Sequence, residues 1–158
     1  MKLTAKATLQ IQKPIQEVFE AIVNPDKMTK YFISESTGRM ETGKKLTWEF
    51  GDFPGKFPVS VTETQPDRFI AFVWDEETVV RITLEEQPDK STVVKVTEGE
   101  KELNEKNLTW LTDNTFGWGN FLDCMKAYLE YGIQLRKGAF DYMEPSGSIQ
   151  TTQRENNS

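Results

Sequence analysis

Apolar residues alternate with polar ones at Leu3, Ala5, Ala7, Leu9 and Ile11, the spacing of a strand that buries one face and wets the other. Pro14 then suits a first helical position, Glu17 complements the positive helix start, and Ile15, Val18, Phe19 and Ile22 form an apolar stripe. A short helix is therefore predicted after the first strand. Asn24-Pro25-Asp26 repeats the start signal with Asn24 as cap, and Met28, Tyr31 and Phe32 give a second, shorter stripe.

Between about residue 36 and residue 98 the pattern has period two. Leu46, Trp48 and Phe50 alternate with Thr47 and Glu49, and Phe57, Val59 and Val61 with Pro58, Ser60 and Thr62. Further on, Val80, Ile82 and Leu84 alternate with Arg81 and Thr83, and Val94 and Val96 flank Lys95. Turn chemistry at Thr42-Gly43, Phe53-Pro54-Gly55, Gln65-Pro66-Asp67, Asp75-Glu76-Glu77 and Gln87-Pro88-Asp89 separates these runs. Connections this short favour an antiparallel meander, because parallel strands need crossover helices.

The charged run from Glu98 to Glu102 reads as a solvated connector. Beyond it a long helix is predicted over Leu108 to Tyr131, where Leu111, Thr115, Trp118, Leu122, Met125 and Leu129 recur at steps of three and four and need a broad apolar partner. Gly132 falls where a C-terminal cap belongs, while Ile133, Leu135 and Phe140 hint at a further helical stretch. From Pro145 to Ser158 the composition is polar with one aliphatic, Ile149, and predicts a disordered tail after a single domain over residues 1–144. The whole is an α+β pattern.

Charge narrows the partners. The chain carries 25 acidic and 19 basic residues, a formal net charge of −6, without a Lys/Arg stripe, so neither nucleic acid nor an anionic membrane is expected. Its start alternates rather than forming an apolar signal segment, and the densest apolar run, residues 69–74, is too short to span a bilayer, so a cytoplasmic protein is expected. A single cysteine, Cys124, excludes an internal disulfide. The triplet Asn107-Leu108-Thr109 without an export signal is taken as chance.

The count of histidines is zero, which removes Ser-His-Asp and Cys-His catalysis and every His-based metal site. No catalytic residue, metal or cofactor is assigned. Cys124, beside Leu122 and Met125, reads as a small buried hydrophobe. The acids at residues 75–77, 85–86 and 98–102 read as solvated surface, and Asp113 and Asn114 as groups that favour the positive end of the helix. Gly117 and Gly119 bracket Trp118 without the spacing or lysine of a phosphate loop; they suggest either close helix-to-sheet packing or close approach of a ligand.

What remains is a concentration of large rings on inward faces. Trp48, Phe50, Phe57, Phe72, Trp74, Ile82, Trp118, Phe121 and Met125, with Val59 and Leu122 on the same faces, are the candidate lining of an apolar cavity between sheet and helix. The alternative is that they fill a close-packed interior.

Two stretches carry a resemblance. Residues 14–25 resemble the p-x-x-x-V-F-x-A-h-x-x-P opening of the START and SRPBCC superfamily branch related to the C-terminal domain of the heat-shock-protein-90 ATPase activator. Gly117-Trp118 followed by Leu122, Met125, Lys126, Tyr128 and Leu129 resembles that branch's terminal helix, and the likeness covers about residues 3 to 135. Tyr31-Phe32 stands where relatives commonly carry Trp-Phe, and the resemblance thereby adds Phe32 at the cavity rim. The resemblance implies a helix-grip fold, in which a curved antiparallel sheet wraps the long C-terminal helix around a hydrophobic cavity. It leaves function open between binding a small hydrophobic molecule, lipid-like or aromatic, serving as a chaperone-interacting module, and aromatase or cyclase chemistry.

Overall fold

The computed structural model describes residues 1–143. The first alternating run forms β1 (Lys2–Ile11), and the stripe after it forms α1 (Ile15–Val23), which buries Ile15, Val18, Phe19 and Ile22. Pro14 sits just outside α1 as its cap, in extended conformation. The next helix, α2 (Pro25–Met28), is a single turn capped by Asn24, whose Oδ1 accepts from Asp26 N at 2.9 Å. Tyr31 and Phe32 follow on further turns closed onto the Met28 carbonyl.

The meander is β2 (Glu35–Ser36), β3 (Lys45–Glu49), β4 (Lys56–Gln65), β5 (Phe69–Trp74), β6 (Thr78–Glu86) and β7 (Thr92–Glu102). Every pairing is antiparallel, and the seven-stranded order β1-β7-β6-β5-β4-β3-β2 places the first strand beside the last. The long helix α3 (Glu105–Tyr131) returns along β1 and seals the sheet's apolar face, giving the helix-grip arrangement. Val59, Val61, Ile70, Phe72, Val80, Ile82, Val94 and Val96 from the sheet meet Trp118, Phe121, Leu122 and Met125 from α3 in one core. Fully burying rings and aliphatics of this size stabilises by about 1.5–3 kcal/mol each.

Three expectations are corrected. The stretch read as a connector is the second half of β7, and its inward alternation Val94, Val96 continues to Glu98, which is only 1 % exposed. Gly99 lies where β7 slips one residue against β1; a Cβ there would stand 3.0 Å from Thr4 Oγ1 and 3.1 Å from the Leu3 carbonyl, so a side chain at this close crossing would press β1 away by a few tenths of an ångström. Next, α3 begins at Glu105, because Asn104 Oδ1 accepts from Asn107 N at 2.8 Å and caps it earlier than the apolar stripe suggests. Its outer half stands in solvent: Thr115 is exposed and Leu111 half-buried, so the apolar stripe is buried only from Trp118 onward. Finally, Gly132 at φ 67° ends α3, and the chain beyond it forms turns with one 3-10 turn (Asp141–Met143), leaving Ile133 and Leu135 exposed and Phe140 buried. The tail expected from Pro145 lies outside the described residues.

Candidate ligand-binding site

A half-open cavity of about 440 Å³ lies where the middle of α3, the ends of β4 and β5, and the chain after Gly132 converge. Phe32, Phe50, Phe57, Trp74 and Trp118 from the sequence-derived set line it. Phe57 stacks on Trp74 at 5.6 Å between centroids, across the β4–β5 pairing that brings both rings to one face. Phe50 meets Phe57 edge-on at 5.5 Å and Phe32 at 5.2 Å.

The other members of that set sit behind this lining. Trp48, Val59, Phe72, Ile82, Phe121, Leu122 and Met125 are buried in the closed core, none more than 2 % exposed. Trp48 packs against Phe72 and Trp74, and Trp118 against Phe121 at 5.5 Å. The space beneath Trp118 is thus filled by side chains, and the open space lies on its outer side. Periodicity gives the face on which a ring stands; depth depends on how neighbouring rings interlock, which periodicity does not encode.

The orientation of Trp118 is fixed from behind. Its indole N–H donates to Glu98 Oε1 at 2.7 Å, Asn114 Nδ2 donates to the same oxygen at 2.8 Å, and the Thr78 hydroxyl donates to Oε2. A buried carboxylate accepting three donors is a satisfied group. Because Glu98 opposes Val80 in the sheet, this polar cluster joins β6, β7 and α3. Asn114 and Trp118 both border the cavity, so Glu98 sets two of its walls without lining it.

Residues that the sequence did not assign to the site complete the lining: Phe53, Phe116, Asn120, Arg136, Phe140, Tyr142 and Met143, with Asp113 and Asn114, which the sequence places as helix-start groups. Gly117 is there too, and a Cβ on it or on Gly119 would meet nothing within 4 Å, so neither glycine serves close packing against the sheet. Arg136 is the central addition. Its Nε donates to Asp52 Oδ2 at 2.7 Å, Nη2 to Asp52 Oδ1 at 3.2 Å and Nη1 to Asn120 Oδ1 at 3.1 Å. The guanidinium also stands 4.9 Å from the Phe140 centroid, 5.1 Å from Phe32 and 5.4 Å from Phe50, within cation–π range. Arg136 stands beside Lys137 in a stretch whose apolar spacing hints only at a further helix, so no local pattern pointed to it as a site residue.

Arg136 and Phe140 hold down the strap formed by residues 133–143. A second cavity of about 760 Å³ lies on its other side, against residues 29–34 and 51–54, and Phe32, Phe53, Arg136, Phe140 and Met143 border both spaces. Cys124 lies deeper, its thiol pushed up in pKa by burial and donating to Asn120 Oδ1 at 3.7 Å, which keeps it protonated. Among the described residues no cluster of acids, cysteines or histidines could hold a metal ion, and no helix is long and apolar enough to cross a membrane.

An antiparallel sheet gripping one long helix, with an aromatic cavity at its open end, defines a helix-grip protein of the SRPBCC type. Residues 12–130 match the family described as "Activator of Hsp90 ATPase homolog 1-like protein". The chain belongs to that family. Its structure is similar to the crystal structure of a Staphylococcus saprophyticus protein at 30% identity and TM-score 0.75, covering 85% of this chain and 96% of that one. It also resembles a protein of the dynemicin biosynthetic locus at 23% identity and TM-score 0.73, covering 83% of this chain and 48% of the other. The solution structure of the Aha1 dimer from Colwellia psychrerythraea aligns at 18% identity and TM-score 0.71, covering 82% and 98%. The last two likenesses concern the fold alone. No match was found among curated proteins.

Proposed function

We propose that this protein binds a small, mostly apolar molecule in the cavity between Trp74, Trp118 and the strap, and carries, sequesters or senses it in the cytoplasm. The observation that carries this reading is a half-open space of about 440 Å³ walled by aromatic rings, one of which is held in place by a buried carboxylate. Apolar burial supplies affinity, and the few polar groups at the rim orient the guest. Titration with aromatic alcohols and short-chain lipids, followed by amide and indole resonances, tests it. Saturable shifts at Gly117 and at the Trp74 and Trp118 indoles, with the middle of β1 unmoved, are expected. If none of these probes gives a saturable shift there, the reading is rejected.

The family's description motivates a second reading, an interaction with an ATP-driven chaperone. The outer half of α3 favours it, since Leu108 and Phe116 are large apolar side chains 45% and 61% exposed on the part of the helix that stands in solvent. Retention of such a chaperone on the immobilised protein, lost in a Leu108→Glu, Phe116→Glu variant, is the expected outcome. Equal retention by the variant rejects this surface.

A further inference from the structure

Resting on the small-molecule reading, we infer that the cavity selects an uncharged guest bearing a hydroxyl donor and excludes carboxylates, and that Asp52 sets this preference by neutralising Arg136. Among the described residues lining the cavity, Arg136 is the sole lysine or arginine. Its charge is already engaged: both oxygens of Asp52 accept from it, Asn120 takes a third N–H, and the pair is 12% and 21% exposed. The α3 wall around Asn114 is acidic. Asp113 lines it directly, and Glu98 stands behind Asn114 at 2.8 Å. A guest carboxylate would therefore lose water, face two acids and find no free cation.

The same wall suits a donor. Asn114 Nδ2 donates to Glu98 Oε1, so the Asn114 amide oxygen is the atom that Glu98 does not engage, and it is the acceptor offered to the guest. Asp113 adds a second acceptor at the rim. Together with the rings, this describes a site for a neutral aromatic or alicyclic alcohol, and not for a fatty acid.

The test compares 2-naphthalenemethanol with 2-naphthoate at pH 7, two probes of nearly equal shape that differ in charge, with the methyl ether of the alcohol as a third. The alcohol is expected to bind at least about ten-fold more tightly than the acid, the cost of one unpaired charge, and more tightly than the ether. In Asp52→Asn the freed guanidinium should narrow or reverse the alcohol-to-acid ratio, whereas in Arg136→Gln the ratio should hold or widen. Equal or tighter naphthoate binding by the unmodified protein would overturn the charge preference while leaving the cavity reading intact. An ether that matches the alcohol would overturn the donor requirement, and an Asp52→Asn ratio equal to that of the unmodified protein would overturn the role of Asp52. Failure of all three probes to saturate would instead reject the cavity as a binding site, and the inference with it.

Discussion

Trp118 and Glu98 are joined by a 2.7 Å hydrogen bond from indole N–H to carboxylate, and Glu98 is 1 % exposed. Removing the carboxylate strands the indole, the Asn114 amide and the Thr78 hydroxyl together. Glu98→Ala should cost about 3 kcal/mol, since each buried polar group left unpaired costs about 1–3 kcal/mol. Glu98→Gln can keep the amide oxygen toward Trp118 and Asn114 and turn its N–H groups toward the Thr78 hydroxyl, which then accepts; its cost should stay within about 1 kcal/mol. Urea denaturation of both variants, with the Trp118 indole resonance as reporter, checks the contrast.

The turn between β5 and β6 places Asp75 and Glu76 at φ 52° and 61°, closed by Glu77 N to the Trp74 carbonyl at 2.9 Å. Two successive positive φ angles suit Asn-Gly, and a non-glycine residue is strained there by its Cβ. Glu76→Gly should therefore stabilise by about 1 kcal/mol. Burial first, then the neighbouring Glu77 and Glu76, raise the Asp75 carboxyl above its ordinary 3.8, so the folded state holds that proton more tightly than the unfolded chain. Asp75 thus weakens the fold at neutral pH, and the penalty fades as pH falls through the raised value toward 3.8. Asp75→Asn should gain stability at pH 7 and progressively less toward pH 4, measured by thermal unfolding across that range.

Gly117 borders the cavity, with open space where a side chain would begin. A helical glycine costs about 1 kcal/mol relative to a good helix former. Gly117→Leu should raise the melting temperature while filling the cavity and reducing binding of 2-naphthalenemethanol at least about ten-fold. A more stable protein that binds as before would show that the guest sits elsewhere.

Glu130 ties the end of α3 to the end of β1: its carboxylate accepts from Lys126 Nζ at 2.6 Å and Gln12 N at 2.7 Å, and Lys126 also donates to the Gln10 carbonyl at 2.9 Å. Burial pushes this carboxyl upward, but the two donors outweigh it and hold the value below the ordinary 4.5. The stabilisation is complete above the unfolded value and is lost as pH falls through the lower native one. Glu130→Gln should cost about 1 kcal/mol at pH 7, and the gap to the unmodified protein should close as the pH drops below 4.5. Parallel acid-unfolding curves of the two proteins would show it.

The sheet and the inner half of α3 were legible because alternation at period two and recurrence at three and four residues state which side of an element is dry. Glu98 was not, since a carboxylate inside a run of charges looks solvated until Trp118, Asn114 and Thr78 arrive from distant parts of the chain. Arg136 was hidden for a similar reason: its partner Asp52 lies 84 residues away, beyond the reach of any local pattern. The rings were assigned to the correct side of the sheet, but the division between Phe57, which borders open space, and Phe72, which does not, arises from three-dimensional interlocking.

From Lys137 to Met143, the backbone hydrogen bonds among the described residues all reach back within residues 134–143, and the side-chain hydrogen bonds tying this stretch to the rest of the fold come from Arg136. On the proposed binding reading, a guest entering past this stretch meets the Arg136–Asp52 pair and the Phe140 ring rather than the strand ladder. Asp52→Asn, which leaves that pair half-made, should then hasten release of 2-naphthalenemethanol more than added salt does, because a pair only 12% and 21% exposed is little screened.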